Sequence, residues 1–195
     1  RRNHNERRKS WSAQSHVLVY CGPALVNYWH ENIIKYCNRP FTCVEEMNER
    51  LIANSNSVVK KDDVVIHAGD FALCSREEAQ EIIKRLNGQH VFLNGDHDRW
   101  MGKKRQWDVR YYRIDDESII VCHYCMRTWF KSHYNSLHLY AHSHGGLPSI
   151  GKSHDIGVDN NSFFPVSFKQ MREIMKNKPN NPNYLGDRIP QKEVK

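Results

Sequence analysis

The sequence predicts a layered α/β sandwich, and three observations carry this prediction. Short apolar segments alternate with segments whose apolar residues recur at helical spacing, which gives the first half a β-α-β rhythm. The second half changes to short strands joined by loops and closes on a helix. A chain of 195 residues is long enough to bury a substantial core, so we expect one domain.

Strands and helices alternate in the first half. Apolar runs bounded by turn residues predict strands, and apolar residues three and four apart predict helices. Thr42 has a side chain typical of an N-cap, so we place it at the start of the second helix. The predicted strands are 16–21, 63–67 and 90–93, and the predicted helices are 31–37, 44–57 and 77–86.

The second half has the strands 119–122, 137–140 and 155–158, followed by a helix over 167–175. From residue 178 the chain reads Lys-Pro-Asn-Asn-Pro-Asn, which is polar and rich in turn residues, so we expect an extended tail there. The predicted organisation is a basic N-terminal tail over 1–14, a domain over 15–176 and a polar C-terminal tail over 177–195.

The net charge of +7 lies at the two ends of the chain. Residues 1–9 have five basic side chains against one acidic, and residues 176–195 have five against two. The remaining 19 basic and 19 acidic residues balance, which argues against a uniformly basic body that wraps nucleic acid. Basic tails are usually solvated, and contact of the tails with RNA is the less favoured interpretation.

The chain has no run of about 18 apolar residues, and its basic start is not followed by the apolar segment of a secretory signal. We therefore expect no membrane contact and an intracellular, cytoplasmic protein. Six cysteines show no disulfide framework, so free thiols are expected. Cys122 and Cys125 form one Cys-x-x-Cys pair without a second pair, which disfavours a structural zinc.

Residues with metal-ligand chemistry follow the predicted strands, where an α/β sheet presents its loops to a ligand. Carboxylates and imidazoles predominate, a combination that suits manganese, zinc or iron. One such histidine would have an ordinary structural explanation, but several strand ends share the chemistry. The positions are 69–70 (Gly-Asp), 95–98 (Gly-Asp-His-Asp), 122–123 (Cys-His) and 141–144 (Ala-His-Ser-His).

These motifs resemble those of the calcineurin-like metallophosphoesterases, and most closely the small bacterial and phage-type members. That family has, in order, Asp-x-His, Gly-Asp, Gly-Asn-His-Asp, a strand-end His and Gly-His-x-His, and this chain has counterparts of the last four. The segments 31–41, 45–48, 157–159 and 165–167 also resemble that subgroup. The resemblance implies an α/β/β/α sandwich of the calcineurin-like type.

The resemblance also implies a metal cage. Asp70 would be the carboxylate that bridges two metals, and Asp96, His123 and His142 would complete one site with it. Asp96 stands where the family usually has Asn, which keeps an oxygen ligand, adds negative charge and makes the metal a weaker Lewis acid. His144 would reach the other metal.

Two residues of the Gly-Asp-His-Asp motif would act directly on the reaction. His97 would be the acid that protonates the leaving oxygen, and Asp98 would orient it. The loop that follows, 99–107, has four cations interleaved with two Trp residues. Arg99 and Lys103 are candidate phosphate contacts, and the loop is equally well interpreted as a solvated surface segment.

The first family motif is degenerate in this chain. The alignment through residues 30–37 places Leu25 where the family has Asp and Asn27 where it has His. Leu offers no lone pair and Asn only a neutral oxygen, so we expect the second metal site to be empty or weak. His16 and His30 lie nearby in sequence, and each also has a structural interpretation.

Two functions follow from these observations. The first is a metal-dependent phosphoesterase that hydrolyses phosphoric mono- or diesters by metal-bound hydroxide, weakened by loss of the first motif. The alternative is an inactive phosphoesterase-fold module for binding or assembly, which contacts RNA or a partner through its basic tails. Retention of one complete ligand set favours the enzyme, and the residues at 25 and 27 favour the module.

Overall fold

A computed structural model describes residues 10–11, 17–20, 31–102 and 108–186; for residues 10–11, 17–20 and 31 it describes the backbone only. The described helices and strands run, in chain order, β1 Ser10–Trp11, β2 Val17–Tyr20, α1 Glu31–Tyr36, α2 Val44–Val58, β3 Val64–His67, α3 Arg76–Arg85, β4 Gln89–Phe92, β5 Val109–Ile114, β6 Glu117–Cys122, β7 Leu137–Tyr140, β8 Ser153–Asp155, β9 Val166–Ser167 and α4 Phe168–Lys176.

The described strands form two sheets, and the protein is a mixed α/β domain as predicted. One sheet has the order β4-β3-β2-β9, with β9 antiparallel to β2 and the other pairs parallel. The second has the order β1-β5-β6-β7-β8. Its β5–β6 pair is antiparallel, and its other pairs are parallel.

Buried side chains from both sheets form one apolar core. Val64 and Ile66 of β3 lie in the same cluster as Val121 of β6 and Leu139 of β7, so the sheets pack face to face. The helix α4 adds Met171 to this core. Because side chains alternate along a strand, the outer face of each sheet must pack against other elements to be buried.

The elements that cover the outer face differ between the two sheets. The outer face of β3 packs Val65 against Met47 and Leu51 of α2 and against Ile82 of α3. On the other sheet, the Trp129 ring lies 5.0 Å from the His138 ring, so the loop 123–136 covers the outer face there.

Two helices begin at capping boxes. Ser75 accepts a hydrogen bond from the Glu78 amide and its own amide donates to the Glu78 carboxylate, which fixes the start of α3. Ser167 and Gln170 do the same for α4. The predicted N-cap of α2 is wrong by one residue: Cys43 occupies that position, and Thr42 instead donates to the Glu46 carboxylate.

The predicted strand over 155–158 is also wrong in its bounds. The strand ends at Asp155 because Asp155 Oδ1 accepts from the Gly157 amide at 2.8 Å, a local bond that turns the chain. Residues Val158–Asn160 form a 3₁₀ turn instead. Strands β1, β5 and β9 were not predicted, and β1 places Ser10–Trp11 of the predicted N-terminal tail beside β5.

The predicted extended C-terminal tail is wrong over its described part. Asn181 is 2% exposed. Its side chain donates to the carbonyls of Ser132 and Ser136 and accepts from the Lys152 amide, so it ties residues 177–186 to the domain. In the described residues, no helix is long and apolar enough to cross a membrane. The described cysteines are free thiols.

Candidate metal centre

Four polar loops meet where the two sheets present the carboxyl ends of their parallel strands. Asp70 follows β3 and residues 96–98 follow β4, while His123 follows β6 and residues 142–144 follow β7. Neighbouring parallel strands end at the same edge of a sheet, where ligands commonly bind. Asp70 from one sheet and His123 from the other are in contact, so the two edges open onto one site.

Asp70, His123 and His142 form the centre of this site. One ligand-type atom from each lies within 4.8 Å of the other two. Asp70 Oδ2 is 3.2 Å from His123 Nε2, which is 3.3 Å from His142 Nδ1. Ligand atoms around a tetrahedral ion at about 2.0–2.1 Å are separated by roughly 3.3 Å. The three residues therefore have the spacing of ligands to a common ion.

The ring of His123 is fixed by its other nitrogen. His123 Nδ1 lies 3.0 Å from the Ala68 carbonyl, which accepts only, so Nδ1 carries a proton. In the neutral ring, Nε2 then presents a lone pair to the Asp70 carboxylate. Burial lowers the pKa of His123, but the hydrogen bond and charge of Asp70 outweigh it and raise the pKa. Two facing acceptors require a proton or a metal cation between them.

Asp96 extends the cluster toward solvent. Its Oδ2 lies 3.4 Å from His142 Nδ1, and the Tyr124 hydroxyl donates to its Oδ1. That hydrogen bond is the main reason why the pKa of Tyr124 is raised to about 12. The side chains of Asp96 and His142 are each 46% exposed, against 2% for His123, so the site has a buried wall and an open rim.

His97 lies beside the central carboxylate. Its backbone amide donates to Asp70 Oδ1 at 2.8 Å, which leaves Asp70 Oδ2 facing His123. Burial raises the pKa of Asp70, but contacts with His123 and His97 outweigh it and lower the pKa. The structure thus brings His97 next to the cluster, and its role as an acid stays a prediction.

Asp98 organises the loops instead of extending the cluster. Its carboxylate accepts hydrogen bonds from four backbone amides and from the Trp100 indole nitrogen; the amides belong to Asp70, Phe71, Ala72 and Gly95. Burial raises the pKa of Asp98 while these donors oppose the shift. The predicted orientation of His97 by Asp98 stays a prediction, because these hydrogen bonds all serve loop structure.

The loops at the centre are tight and strained. A Cβ added at Gly95 would clash with the Asp70 carboxylate, so only glycine leaves room for it. Asp70, His142 and His144 have φ of 54°, 61° and 46°, in the left-handed region that side chains disfavour. Such strain persists where the surrounding structure imposes it, and it is concentrated at functional sites.

His144 belongs to a second cluster that the sequence did not reveal. Its Nδ1 lies 2.7 Å from Asp159 Oδ2, and both oxygens of Asp159 accept from Arg39, at 2.7 and 2.8 Å. Cys37 completes the group, with its thiol among ligand-type atoms within 4.8 Å of one another. Arg39 and Asp159 are 120 positions apart, so no local spacing indicates their contact.

Several predicted residues lie outside the described parts of the chain. These are Leu25 and Asn27 of the first motif, Lys103 of the loop 99–107, and His16 and His30. Arg99 is described: it begins a 3₁₀ turn beside the site and its side chain is exposed.

Similarity to known proteins adds evidence on the fold of this chain and none on its chemistry. No model of a known protein family matches the chain. A stretch of 87 residues, 44% of the chain, is 46% identical to the uncharacterized protein MJ1445 of Methanocaldococcus jannaschii. The match spans about half of that relative, 49% of its length.

A solved structure resembles most of the domain. The crystal structure of AQ665, a protein of unknown function from Aquifex aeolicus, aligns with a TM-score of 0.55 over 81% of this chain and 99% of that one, at 18% identity. This likeness shows a shared fold. MJ1445 is described as uncharacterized and AQ665 as of unknown function, so a proposal of function depends on the site.

Proposed function

We propose that this protein is a metal-dependent phosphoesterase of the calcineurin-like type, with one intact metal site. The observation that carries the proposal is the group Asp70, His123 and His142, whose ligand-type atoms have the spacing of a shared ion. A fold of that type is expected to have two packed sheets with the metal site at the carboxyl ends of their strands, and this arrangement supports the proposal. The ordered motifs of the sequence support the same class.

The donor set fits a divalent transition metal. Two imidazoles and one carboxylate, with Asp96 at the rim, suit zinc, manganese or iron. A hydrogen bond from the second nitrogen of a metal-ligating histidine to a carbonyl is the usual means of fixing its ring, and His123 has that bond to Ala68. When bound, the metal would acidify a water and neutralise charge on a phosphoryl oxygen.

The chain's own residues would handle protons and orientation. Hydrolysis breaks the bond between phosphorus and the leaving oxygen, and His97 would supply the proton that this oxygen takes up. The hydrogen bond from the His97 amide to Asp70 fixes that residue beside the cage. Arg99 at the exposed rim offers a cation to the substrate's phosphate. The expected substrate class is therefore a phosphoric mono- or diester.

The alternative function is an inactive binding or assembly module on the same fold. It is favoured by the first motif, where the resemblance aligns Leu25 with an aspartate and Asn27 with a histidine. Such a module would use its basic ends to hold RNA or a protein partner. It predicts no hydrolysis under any metal condition.

The two functions separate in a hydrolysis assay on a generic aryl phosphate diester with added manganese. The phosphoesterase predicts turnover that falls on His97→Ala, by about 100-fold or more for loss of an acid. The matched control is His133→Ala, in the turn Ser132–Tyr134, which should leave turnover unchanged. Turnover that is absent with manganese, zinc and iron alike, on this diester and on the corresponding aryl monoester, would exclude the enzyme and favour the module.

A further inference from the structure

We propose that Arg39 and Asp159 are positioning residues for His144: they fix its ring in the tautomer that has the proton on Nδ1 and presents Nε2 as an acceptor. What His144 Nε2 then binds, a metal or a proton of the substrate, rests on the proposed function. The pair of residues and the tautomer themselves do not depend on it.

Arg39 anchors Asp159 with a two-pronged contact. Arg39 Nε and Nη2 donate to Asp159 Oδ1 and Oδ2 at 2.7 and 2.8 Å, and Arg39 Nη1 lies 3.2 Å from Met47 Sδ. The Arg39 side chain is 0% exposed and that of Asp159 is 10% exposed. A buried, bidentate pair of this kind has a fixed geometry.

His144 receives its orientation from the same carboxylate. Both oxygens of Asp159 accept from the Arg39 guanidinium at 2.7 and 2.8 Å, an ion pair in which the carboxylate acts as an acceptor only. His144 Nδ1, 2.7 Å from Asp159 Oδ2, must therefore be the donor. Nε2 is left as the acceptor of the neutral ring, on a side chain that is 36% exposed.

Asp159 is an anchor and not a ligand in this arrangement. Arg39 already neutralises its charge and occupies both oxygens, which opposes binding of a cation there. Cys37 is nearby, and burial and the Asp159 charge raise the pKa of its thiol, which disfavours the thiolate form that binds metals. The arrangement matches a carboxylate that orients a histidine from behind.

The tautomer is measured directly by long-range ¹H–¹⁵N NMR of the histidine rings, at about pH 8 and without metal. For His144 we expect a protonated Nδ1 and an unprotonated Nε2. The test variant is Arg39→Met with Asp159→Leu, which removes both charges at once and leaves no unpaired buried charge. It should move His144 toward the Nε2–H tautomer that free histidine prefers, and weaken Mn²⁺ binding by about 10-fold or more if Nε2 is a ligand.

A matched control removes a different Arg–carboxylate pair. Arg85 and Glu49 form an exposed ion pair between α3 and α2, so Arg85→Met with Glu49→Leu should leave the His144 tautomer unchanged. An Nε2–H tautomer in the wild-type protein, or an unchanged tautomer in the test variant, would overturn the proposal. So would a thiolate-to-Co²⁺ absorption band that Cys37→Ser removes, because Cys37, His144 and Asp159 would then be a metal site themselves.

Failure of the proposed phosphoesterase function can be distinguished from failure of the positioning proposal. Absence of metal at Asp70 and absence of hydrolysis leave the tautomer of the metal-free protein untouched. The NMR result therefore tests the positioning pair alone, and the metal titration tests what the positioned nitrogen binds.

Discussion

Asp70 Oδ2 and His123 Nε2 lie 3.2 Å apart and join the carboxyl ends of two sheets. When His123 is neutral, hydrogen bonds to neighbouring groups leave these two atoms as acceptors that face each other. His97 donates to the other oxygen of Asp70, and His123 donates its Nδ1 proton to Ala68. A proton or a metal cation between them satisfies both, and the spacing of His142 beside them favours the metal that we propose.

The variant His123→Ala should lose metal and activity together. It removes a buried ligand and the partner of Asp70, so we expect affinity for Mn²⁺ to fall by about 100-fold or more, beyond the 10–100-fold typical of outer-shell changes. Isothermal titration measures the affinity, and His133→Ala serves as the control. Equal affinity in wild type and His123→Ala would place the metal elsewhere.

Asp98→Asn should destabilise the fold strongly, although the two side chains have nearly the same shape. An amide nitrogen would face donors that now point at a carboxylate oxygen, and several backbone amides would lose an acceptor. We expect a loss of about 3 kcal/mol in the free energy of unfolding, measured by urea denaturation. Asp116→Asn is the matched control because the Asp116 side chain is fully exposed, and it should change little. A near-neutral Asp98→Asn would contradict the role assigned to that carboxylate.

His138 should make the protein less stable in acid. Its ring is 0% exposed, and burial lowers its pKa from 6.5 to about 4. The folded state therefore binds this proton less readily than the unfolded state. The stability is fully present above pH 6.5, falls as the pH drops below 6.5 and levels off below about 4.

The variant His138→Gln tests this pH dependence. Its amide can replace both ring contacts, to the Met126 amide and the Ile120 carbonyl, but it does not titrate. The loss of unfolding free energy between neutral and acid pH should be smaller than in wild type by on the order of 3 kcal/mol. Other buried histidines also contribute to the pH dependence of the unfolding free energy. The comparison is therefore between the slopes of unfolding free energy against pH in the variant and in wild type. His133→Gln should keep the wild-type slope, and an unchanged slope in His138→Gln would refute the assignment.

Restoration of the first motif tests the resemblance itself. If Leu25 and Asn27 replace two metal ligands, the double variant Leu25→Asp with Asn27→His should bind additional metal and hydrolyse the aryl diester faster than wild type. The control is Leu25→Asn with Asn27→Gln, which adds polarity without the ligand pair. Activity that stays at or below wild type would show a remodelled pocket in place of a dormant site.

The sequence predicted the fold where local patterns decide it. The buried runs of β3 and β7 and the helical spacing of α2 and α3 depend on neighbours within one element, and these elements were found with small shifts at their ends. Strand β5 was missed although Tyr112 and Ile114 alternate with polar residues, because its arginines and tyrosines resemble a surface segment. The tail was misjudged because Asn181 is polar and yet fills its hydrogen bonds inside the domain.

In the candidate site, too, some features could be predicted from local sequence and others could not. Asp70, His123 and His142 follow strands of one layered fold, so strand-end position placed them near one another, and the family resemblance supplied them as one ligand set. The anchoring of His144 by Asp159 and Arg39 was not predictable, because it depends on a contact between two distant loops. The function of Asp98 also required the structure, since only the folded loops place four amides around one carboxylate.

The most direct test of the central claim is the metal content of protein purified without chelator, by elemental mass spectrometry, for wild type and His123→Ala in parallel. The account predicts about one manganese, zinc or iron per wild-type chain and a loss of that metal in the variant. Wild-type protein that contains no metal, and takes up none when dialysed against each of the three ions, would contradict it.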